Sequence, residues 1–588
     1  MNPIPAQSSV PTSSTDGDVL VRMEARWSRG AVVLVALAAV ALCPLLFGPF
    51  FGDDYLHIEV AARLREAVLG GWVLHIDSVG AWWTPPGLTV EYFRPLIVVS
   101  FALDHLLYGV NAAGYHLTNL ALHAAGTWLV WGVGRRVLGP GFGAWGAAAL
   151  FAIHPCHTMA VGWISGRTDV LAGVLYLAAF LAYLAQRATR GATGRRALLL
   201  VTTLILFALA LFAKEMAATL PLVMLGDALL RPHGEPLAQR LAAPALAGIV
   251  AAAYVALRVA VLGCFHPPPT PFAYHLGDPG LAWHLATAPL LYLADFVLFV
   301  PADPMATEPF WRAHPVLLVL FAAVVLRTFW TTLQRASDRT TAAWALGWMG
   351  VTILPVMMLT IGEHFLYLPS AGYCLLVGSQ LPADPTKLAG KDRRGLAIVA
   401  ALVMVVCLVR TTLFTNLARE SSRTIAAAAA ALQATPNARR LLVADLPVAA
   451  ALAFPHAVRL ALPGRDVDVQ ILSLLSHVMP GPSDYSSVDF AGHSRLRLHR
   501  AEGFLGSYLE RALGGPNLQF QVGQTIPRDG YEVTILDAPG GRVDTFGVRI
   551  ADPGKTLLLR GTQSGLALLS PHTHEPISAP TPPRGSTP

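Results

Sequence analysis

Charge is what this sequence has least of. Of 588 residues only 13% are Asp, Glu, Lys or Arg, while 54% are hydrophobic. A soluble globular chain carries about 25% charged residues, so the composition excludes one. Cysteine is scarce too. The five are Cys43, Cys156, Cys264, Cys374 and Cys407, and none forms a CxxC pair. That excludes a disulfide framework and a cysteine-built zinc site. A cleavable leader is not expected, because the first apolar run is too long and no small-residue cleavage site follows it. The net charge of +6 sits mostly on Arg in short loops, so it reports orientation in a membrane and not nucleic-acid binding.

What is present is a series of apolar runs. Residues 31–51 contain no charge, and about twenty apolar residues cross a hydrocarbon core of roughly 30 Å. Arg22, Arg26 and Arg29 precede this run, which puts the N-terminus in the cytoplasm. The loop that follows, to about Glu91, carries Trp72, Trp82 and Trp83. Amphipathic rings suit the headgroup zone, so this loop is expected to lie on the membrane. Residues 94–108 and 281–300 are expected to be interfacial helices. Further runs alternate with Arg-rich loops, the last of which is Lys387 to Arg394. This gives about eleven spans, or thirteen if both interfacial helices cross.

After Arg410 the composition changes. Residues 416–433 read as a surface helix. From Leu441 to Ser570 short alternating segments such as 495–500, 519–522, 532–536 and 556–560 read as strands, with one helix near 502–513. The expected organisation is a disordered cytoplasmic N-terminus (1–30), a transmembrane domain (31–412), a connecting helix (413–440), a β-rich domain (441–570) and a disordered Pro-rich tail (571–588). The fold class is a polytopic α-helical membrane protein with a C-terminal β-rich (α+β) extracytoplasmic domain.

The ionisable residues fall on one side of this topology. Asp53 and Asp54 follow the first span. Two like charges so close raise one another's pKa, and such a carboxylate can take a proton from a hydroxyl. Arg94, His154, His157, Arg167, Asp169, Lys214, Glu215, Glu363 and His364 lie at the same outer rim. Ionisable groups at that depth are costly and mark function, although each alone could be an ion pair or a cap. His116, Asn119 and His123 recur at helical spacing, which favours interhelical hydrogen bonds. The spacing of His154, His157 and Asp169 matches no metal pattern, so no metal ligand is assigned.

Several of these residues stand in longer motifs. The run Tyr92-Phe93-Arg94-Pro95-Leu96 is followed by Gly109-Val110-Asn111, Gly114-Tyr115-His116-Leu117-Thr118-Asn119 and Leu122-His123. Next come His154-Pro155 with His157-Thr158, Trp163-Ile164-Ser165-Gly166-Arg167 to Asp169, and Ala213-Lys214-Glu215. The last is Glu363 to Leu368-Pro369-Ser370-Ala371-Gly372-Tyr373-Cys374. In this order over residues 51–380 they resemble the transmembrane and tetratricopeptide-repeat O-mannosyltransferase-like family, which is similar to GT-C glycosyltransferases.

The resemblance implies a polytopic enzyme that moves a sugar, mannose-like, from a polyprenyl-phosphate carrier to a protein or glycan acceptor on the outer face. It implies Asp53 or Asp54 as the base. It also implies donor-phosphate or substrate contacts from Arg94, His154, Arg167, Asp169, Lys214, Glu215, Glu363 and His364, with Arg167, Lys214 and His364 as the cations. The partners are then the lipid-linked donor, the acceptor and membrane lipid. No cofactor is firmly implied beyond that donor substrate, with a divalent metal left as the lesser alternative. Three departures stand out. Met159 and His364 occupy positions where the family has Glu and Arg, and a β-rich domain replaces the repeats. Arg, Ala and Gly usage fits a GC-rich bacterial genome, hence a cytoplasmic membrane with the site on its periplasmic side. Two other readings remain open: a flippase for lipid-linked sugars, which needs ionisable residues near mid-membrane, and a non-catalytic scaffold.

Overall fold

The computed structural model describes residues 30–69, 72–77, 80–85, 89–189, 191–232, 234–263, 273–278, 280–301, 310–336, 338–475, 481–506, 508–514, 518–569 and 577–578. Arg22, Arg26, Arg29, Cys264 and most of the Pro-rich tail lie outside the described residues.

The apolar runs fold as helices, because a backbone in apolar surroundings must satisfy its own hydrogen bonds. In chain order they are α1 (Gly30–Phe47), α2 (Asp54–Ala62), α3 (Leu64–Leu69), α4 (Pro95–Tyr108), α5 (Ala112–Val137) and α6 (Phe142–Ile153). Then come α7 (Thr158–Gly162), α8 (Arg167–Ala188), α9 (Thr193–Ala213), α10 (Leu220–Leu230), α11 (Leu237–Leu262) and α12 (Leu281–Leu298). The set ends with α13 (Pro315–Arg335), α14 (Arg339–Ile353), α15 (Tyr367–Gly378) and α16 (Gly390–Ala434). Seven of them, α1, α8, α9, α11, α12, α13 and α16, are long and apolar enough to cross a bilayer. The chain is an integral membrane protein. The helix α12, expected in the interface, is one of the seven, while α4 has only fourteen residues.

The polar face of α5 is buried inside the bundle. His116 Nε2 lies 3.1 Å from Gly48 O, Asn119 donates to Ile164 O at 3.2 Å, and His123 Nδ1 lies 3.2 Å from the Tyr367 hydroxyl. These are the interhelical contacts that the spacing predicts. Arg167 opens α8 and Arg187 closes it, so the two mark opposite ends of the bundle. At the Arg187 end, Arg187 and Arg231 converge on Asp227.

The connecting helix is not a separate element. It continues the last apolar helix as the single 45-residue α16, because nothing in its Ala-rich second half breaks helix propensity. Ala428, Ala431 and Leu432 carry it into the core of the C-terminal domain.

That domain holds the expected strands in two sheets, except that 519–522 is loop running into a turn. One has the order β12-β11-β10-β3-β4, with β3 (Arg440–Ala444), β4 (Asp468–Ile471) and β10 (Thr556–Thr562) parallel, and β11 (Gly565–Leu568) and β12 (Ile577–Ser578) antiparallel. Parallel neighbours need a crossover, and between β3 and β4 it includes α17 (Val448–Ala451) and α18 (Phe454–Ala461). The other sheet is antiparallel, β5-β6-β9-β8-β7. Its strands are β5 (Ser487–Phe490), β6 (Arg495–Phe504), β7 (Thr525–Arg528), β8 (Tyr531–Asp537) and β9 (Val543–Ile550). The helix expected at 502–513 starts only at Tyr508, because β6 runs on to Phe504. In the tail expected to be disordered, Ile577 and Ser578 pair with Leu568 and Ala567.

The first loop departs most from expectation. It folds as a hairpin of β1 (Val73–Asp77) and β2 (Thr89–Phe93), and the chain between them enters the C-terminal domain. Trp82 and Trp83 are buried in the core that also holds Leu498 and Phe546. Trp82 Nε1 donates to Leu472 O at 2.8 Å, and Ile471 N donates to Gly80 O at 2.7 Å. Arg528 donates to Thr84 O at 3.0 Å. An indole needs an apolar surround and one acceptor for its N–H. A lipid interface and this protein core both supply them, so the Trp pattern alone reads either way. Trp82→Ala should therefore cost about 3–5 kcal/mol and expose the 80–84 segment to protease. An unchanged melting temperature and digestion pattern would mean that the loop rests on lipid instead.

Candidate active site

The site begins where α1 ends. Gly52 takes φ +56°, a left-handed turn that suits glycine, and the next two residues diverge. Asp54 turns inward and is fully buried. Its Oδ1 accepts from Ser165 N and Ser165 Oγ, both at 2.7 Å, and its Oδ2 accepts from Phe51 N at 2.9 Å. Burial pushes its carboxyl up to about 7, against the pull of the Ser165 and Phe51 hydrogen bonds. Asp54 thus braces the first loop to the turn that opens α8. Asp53 remains partly exposed at the N-terminus of α2, and its carboxylate accepts no hydrogen bond among the described residues. Burial pushes Asp53 up to about 6, while His456 and Arg94 pull it down.

Arg94 follows β2 and forms a two-pronged pair with Glu215. Its Nη2 donates to Oε1 at 2.7 Å and its Nε to Oε2 at 3.2 Å. Its guanidinium also lies 4.3 Å from the centroid of the Tyr92 ring. Burial alone would raise Glu215, but Arg94 and Lys214 overcome it and hold the carboxyl down at about 2. Lys214, at the end of α9, donates to both carboxylate oxygens of Asp169 at 2.7 Å and lies 4.9 Å from the Phe365 ring centroid. His364 sits between Trp163 and Phe365, at centroid distances of 5.5 and 4.0 Å. Burial, with Lys214 and Arg94 beside it, pushes His364 well below the usual histidine range. These surroundings disfavour the positive charge assigned to it from the motif.

The structure therefore gathers Asp53, Asp54, Arg94, Asp169, Lys214, Glu215 and His364 at the Arg167 end of the bundle. Arg167 itself is committed to other partners. It is fully buried as a joint between α4, α5 and α8. Its guanidinium donates to Asn119 Oδ1 at 2.8 Å, Tyr115 O at 3.1 Å and Ser100 Oγ at 3.2 Å, and pairs with Asp104. No donor is left over for a substrate. His154 also stands apart, with Nε2 3.2 Å from Phe296 O and Tyr373 and Phe299 around it. His154, His157 and Asp169 do not converge, since His157 Nε2 lies 2.8 Å from Ser370 Oγ and Asp169 holds Lys214. Glu363 accepts from Met159 N at 3.1 Å and pairs with Arg410, whose other side pairs with Asp295 at 2.7 Å.

Arg410 and Asp295 received no site role from the sequence, nor did Glu59, His456 and Ser165, although Ser165 stands in one of the motifs. A lone charge inside an apolar helix is the signal for the first two. His456 carries no local signal, because long-range folding alone brings it to α2.

These features define a helical membrane protein in which, among the described residues, Asp53 is a raised carboxylate without a hydrogen-bond donor, beside two paired cations. No family model matches the sequence. Its likeness is to curated protein O-mannosyl-transferases, the family that the motifs resemble. It is 39% identical to Tmtc1 of Drosophila melanogaster over 160 residues, 27% of this chain and 17% of that protein. Tmtc2 of Drosophila melanogaster is 41% identical over 212 residues, 35% of this chain and 22% of the relative. Human TMTC2 is 35% identical over 164 residues, 28% of this chain and 20% of that protein. The chain thus spans about a fifth of the length of these relatives. Among solved structures, ArnT from Cupriavidus metallidurans bound to undecaprenyl phosphate overlaps 74% of this chain and 89% of its own, at 15% identity and a TM-score of 0.40. An Archaeoglobus fulgidus oligosaccharyltransferase tethered to an acceptor peptide overlaps 75% of this chain and 64% of its own, at 12% identity and a TM-score of 0.43.

The arrangement separates structural from available cations. Arg167→Met should cost about 3–5 kcal/mol by leaving Asp104 buried and unpaired, read as a lower melting temperature. A variant that melts normally and only binds substrate less well would return Arg167 to the substrate-binding set.

Proposed function

We propose that this chain is a membrane glycosyltransferase of the GT-C type, moving a sugar from a polyprenyl-phosphate carrier to an acceptor hydroxyl, with Asp53 as general base. The observation that carries this reading is the division of labour between two adjacent carboxylates. Asp54 is saturated with hydrogen bonds, while Asp53 accepts none among the described residues and is tuned upward by burial. Similarity to protein O-mannosyl-transferases supports the reaction class, and makes a mannose-like sugar and a protein acceptor the first ones to test. The placement of the charged groups at helix ends favours surface chemistry over carriage through the membrane.

In this mechanism the acceptor oxygen attacks the anomeric carbon as Asp53 takes its proton. The bond from that carbon to the phosphate oxygen breaks, and the polyprenyl phosphate leaves with its negative charge. Preorganised cations stabilise charge that develops in a poorly hydrated site. Arg94 is the one suited to it, because its partner Glu215 is 39% exposed, against 4% for the Asp169 that holds Lys214, and can yield to a phosphate. Lys214 is held by both oxygens of buried Asp169 and adds its field from behind. The apolar helices hold the lipid tail. The proposed placement is a bacterial cytoplasmic membrane with the site and the C-terminal domain on its periplasmic side, since the Arg-rich loops mark the other end.

Asp53→Asn should lower turnover by about two to four powers of ten, the usual contribution of a general base, with donor affinity nearly unchanged. In the wild type the rate should fall tenfold per pH unit below about 6, because Asp53 must be ionised to act. Near-normal transfer by a folded Asp53→Asn protein would sink the assignment. Arg94→Gln should weaken donor binding about ten- to a hundredfold, the worth of one charge-assisted hydrogen bond. Unchanged binding removes Arg94 from the phosphate site.

A further inference from the structure

Asp53 and Arg94 are the residues that precede α2 and α4. The two helices therefore carry the proposed base and the proposed phosphate ligand at their starts. His57 lies one turn into α2, where its backbone N–H donates to Asp53 O at 3.1 Å. Residues four apart share a helix face, and side chains lean toward the helix N-terminus. His57 thus stands next along α2 on the face that begins with Asp53. Its ring stacks on Phe101 of α4, with centroids 4.4 Å apart and planes at 19°. The Arg167 guanidinium, fixed by its own partners, lies 4.5 Å from the same Phe101 centroid. The imidazole is therefore held in a set plane in the seam between α2 and α4.

What distinguishes His57 is the lack of a partner. It is only 5% exposed, yet neither ring nitrogen has a hydrogen-bond partner among the described residues. Four other buried histidines each have one: His116 at Gly48 O, His123 at the Tyr367 hydroxyl, His154 at Phe296 O and His157 at Ser370 Oγ. A buried polar group without a partner is costly, and such a group calls for a functional reason. A phenyl ring would give the same stack on Phe101 without that cost. Burial, with Arg94 and Arg167 near it, pushes the imidazole down to about 3, which disfavours its charged form. An uncharged imidazole offers one N–H and one lone pair. That suits a hydroxyl, which also donates and accepts, better than a phosphate, which calls for charge.

Resting on the glycosyl-transfer reading, we infer that His57 is a sugar-binding residue, whose ring nitrogens hydrogen-bond a hydroxyl of the sugar being transferred, one helical turn from Asp53. On that reading the anomeric carbon sits between the oxygen that Asp53 deprotonates and the phosphate that Arg94 holds, at the starts of α2 and α4. One turn of helix rises about 5.4 Å, comparable with the length of a hexose ring. The hydroxyls of that ring then reach the seam where His57 is stacked. A site built to hydrogen-bond a hydroxyl rejects an analogue that lacks it, so His57 contributes to the choice of sugar. Arg94 takes the phosphate, His57 the sugar and Asp53 the acceptor.

Binding tests this without turnover. The full chain in lipid nanodiscs is titrated with polyprenyl-phosphate mannose and, separately, with polyprenyl phosphate that carries no sugar. The wild type should hold the mannosyl lipid more tightly. His57→Phe keeps the stack on Phe101 and removes both nitrogens. It should weaken the mannosyl lipid about three- to tenfold, the worth of one uncharged hydrogen bond, and leave the sugar-free lipid unchanged. Its melting temperature should equal or exceed that of the wild type, because no hydrogen bond within the protein is lost. His57→Asn and His57→Gln place an amide near Nδ1 and Nε2 respectively, and one of them should restore the preference for the mannosyl lipid. Equal weakening of both lipids, no weakening, a lower melting temperature for the Phe variant, or no restoration by either amide overturns the inference. Selective weakening with mannose transfer by the wild type supports both readings. Selective weakening with no transfer by the wild type keeps the sugar contact and removes the glycosyltransferase reading.

Discussion

The arrangement depends on one buried carboxylate. Asp54 takes three hydrogen bonds, two from Ser165 and one from Phe51. They tie the loop after the first membrane helix to the turn that opens α8, over a hundred residues away in sequence. A buried carboxylate without such donors is costly, so the loop has one stable place. With Asp54 fixed there, its neighbour Asp53 stays partly exposed and accepts no hydrogen bond among the described residues. Gly52 makes the left-handed turn before them, and Trp163, donating to Phe51 O at 3.1 Å, closes the same corner.

The other buried charges illustrate a division between holding and acting. Arg167 with Asp104, Arg410 with Glu363 and Asp295, and Lys214 with Asp169 are all largely enclosed. Breaking such a pair costs more than the pair itself contributes, because the remaining ion is stranded. These pairs lock helices that are far apart in sequence. Arg94 with Glu215 differs, since one partner is open to exchange. On the proposed mechanism that openness is what lets a phosphate enter.

Legibility in the sequence followed locality. The paired aspartates, Arg94, and the Lys214-Glu215 turn were legible as motifs beside apolar runs, and the structure brings them together. The apolar helices and the later strands were legible from periodicity. Arg167 and His364 were misjudged because sequence does not reveal whether a cation's donors are already taken or whether its surroundings disfavour its charge. The tryptophan loop was misplaced because an indole is content in a lipid interface or in a protein core. The break assigned at residue 412 marks a change of environment along α16, from lipid to protein, and such a change leaves the helix intact. His456 and Glu59 were invisible, because 397 residues separate them.

The central claim is that this chain transfers a sugar from a lipid phosphate. Purified full-length protein in nanodiscs, given polyprenyl-phosphate mannose labelled in the sugar and a Ser/Thr-rich peptide, tests it most directly. The account predicts that label appears on the peptide while polyprenyl phosphate is released in equal amount. Label that stays on the lipid, or that only crosses the bilayer of a proteoliposome, would contradict it.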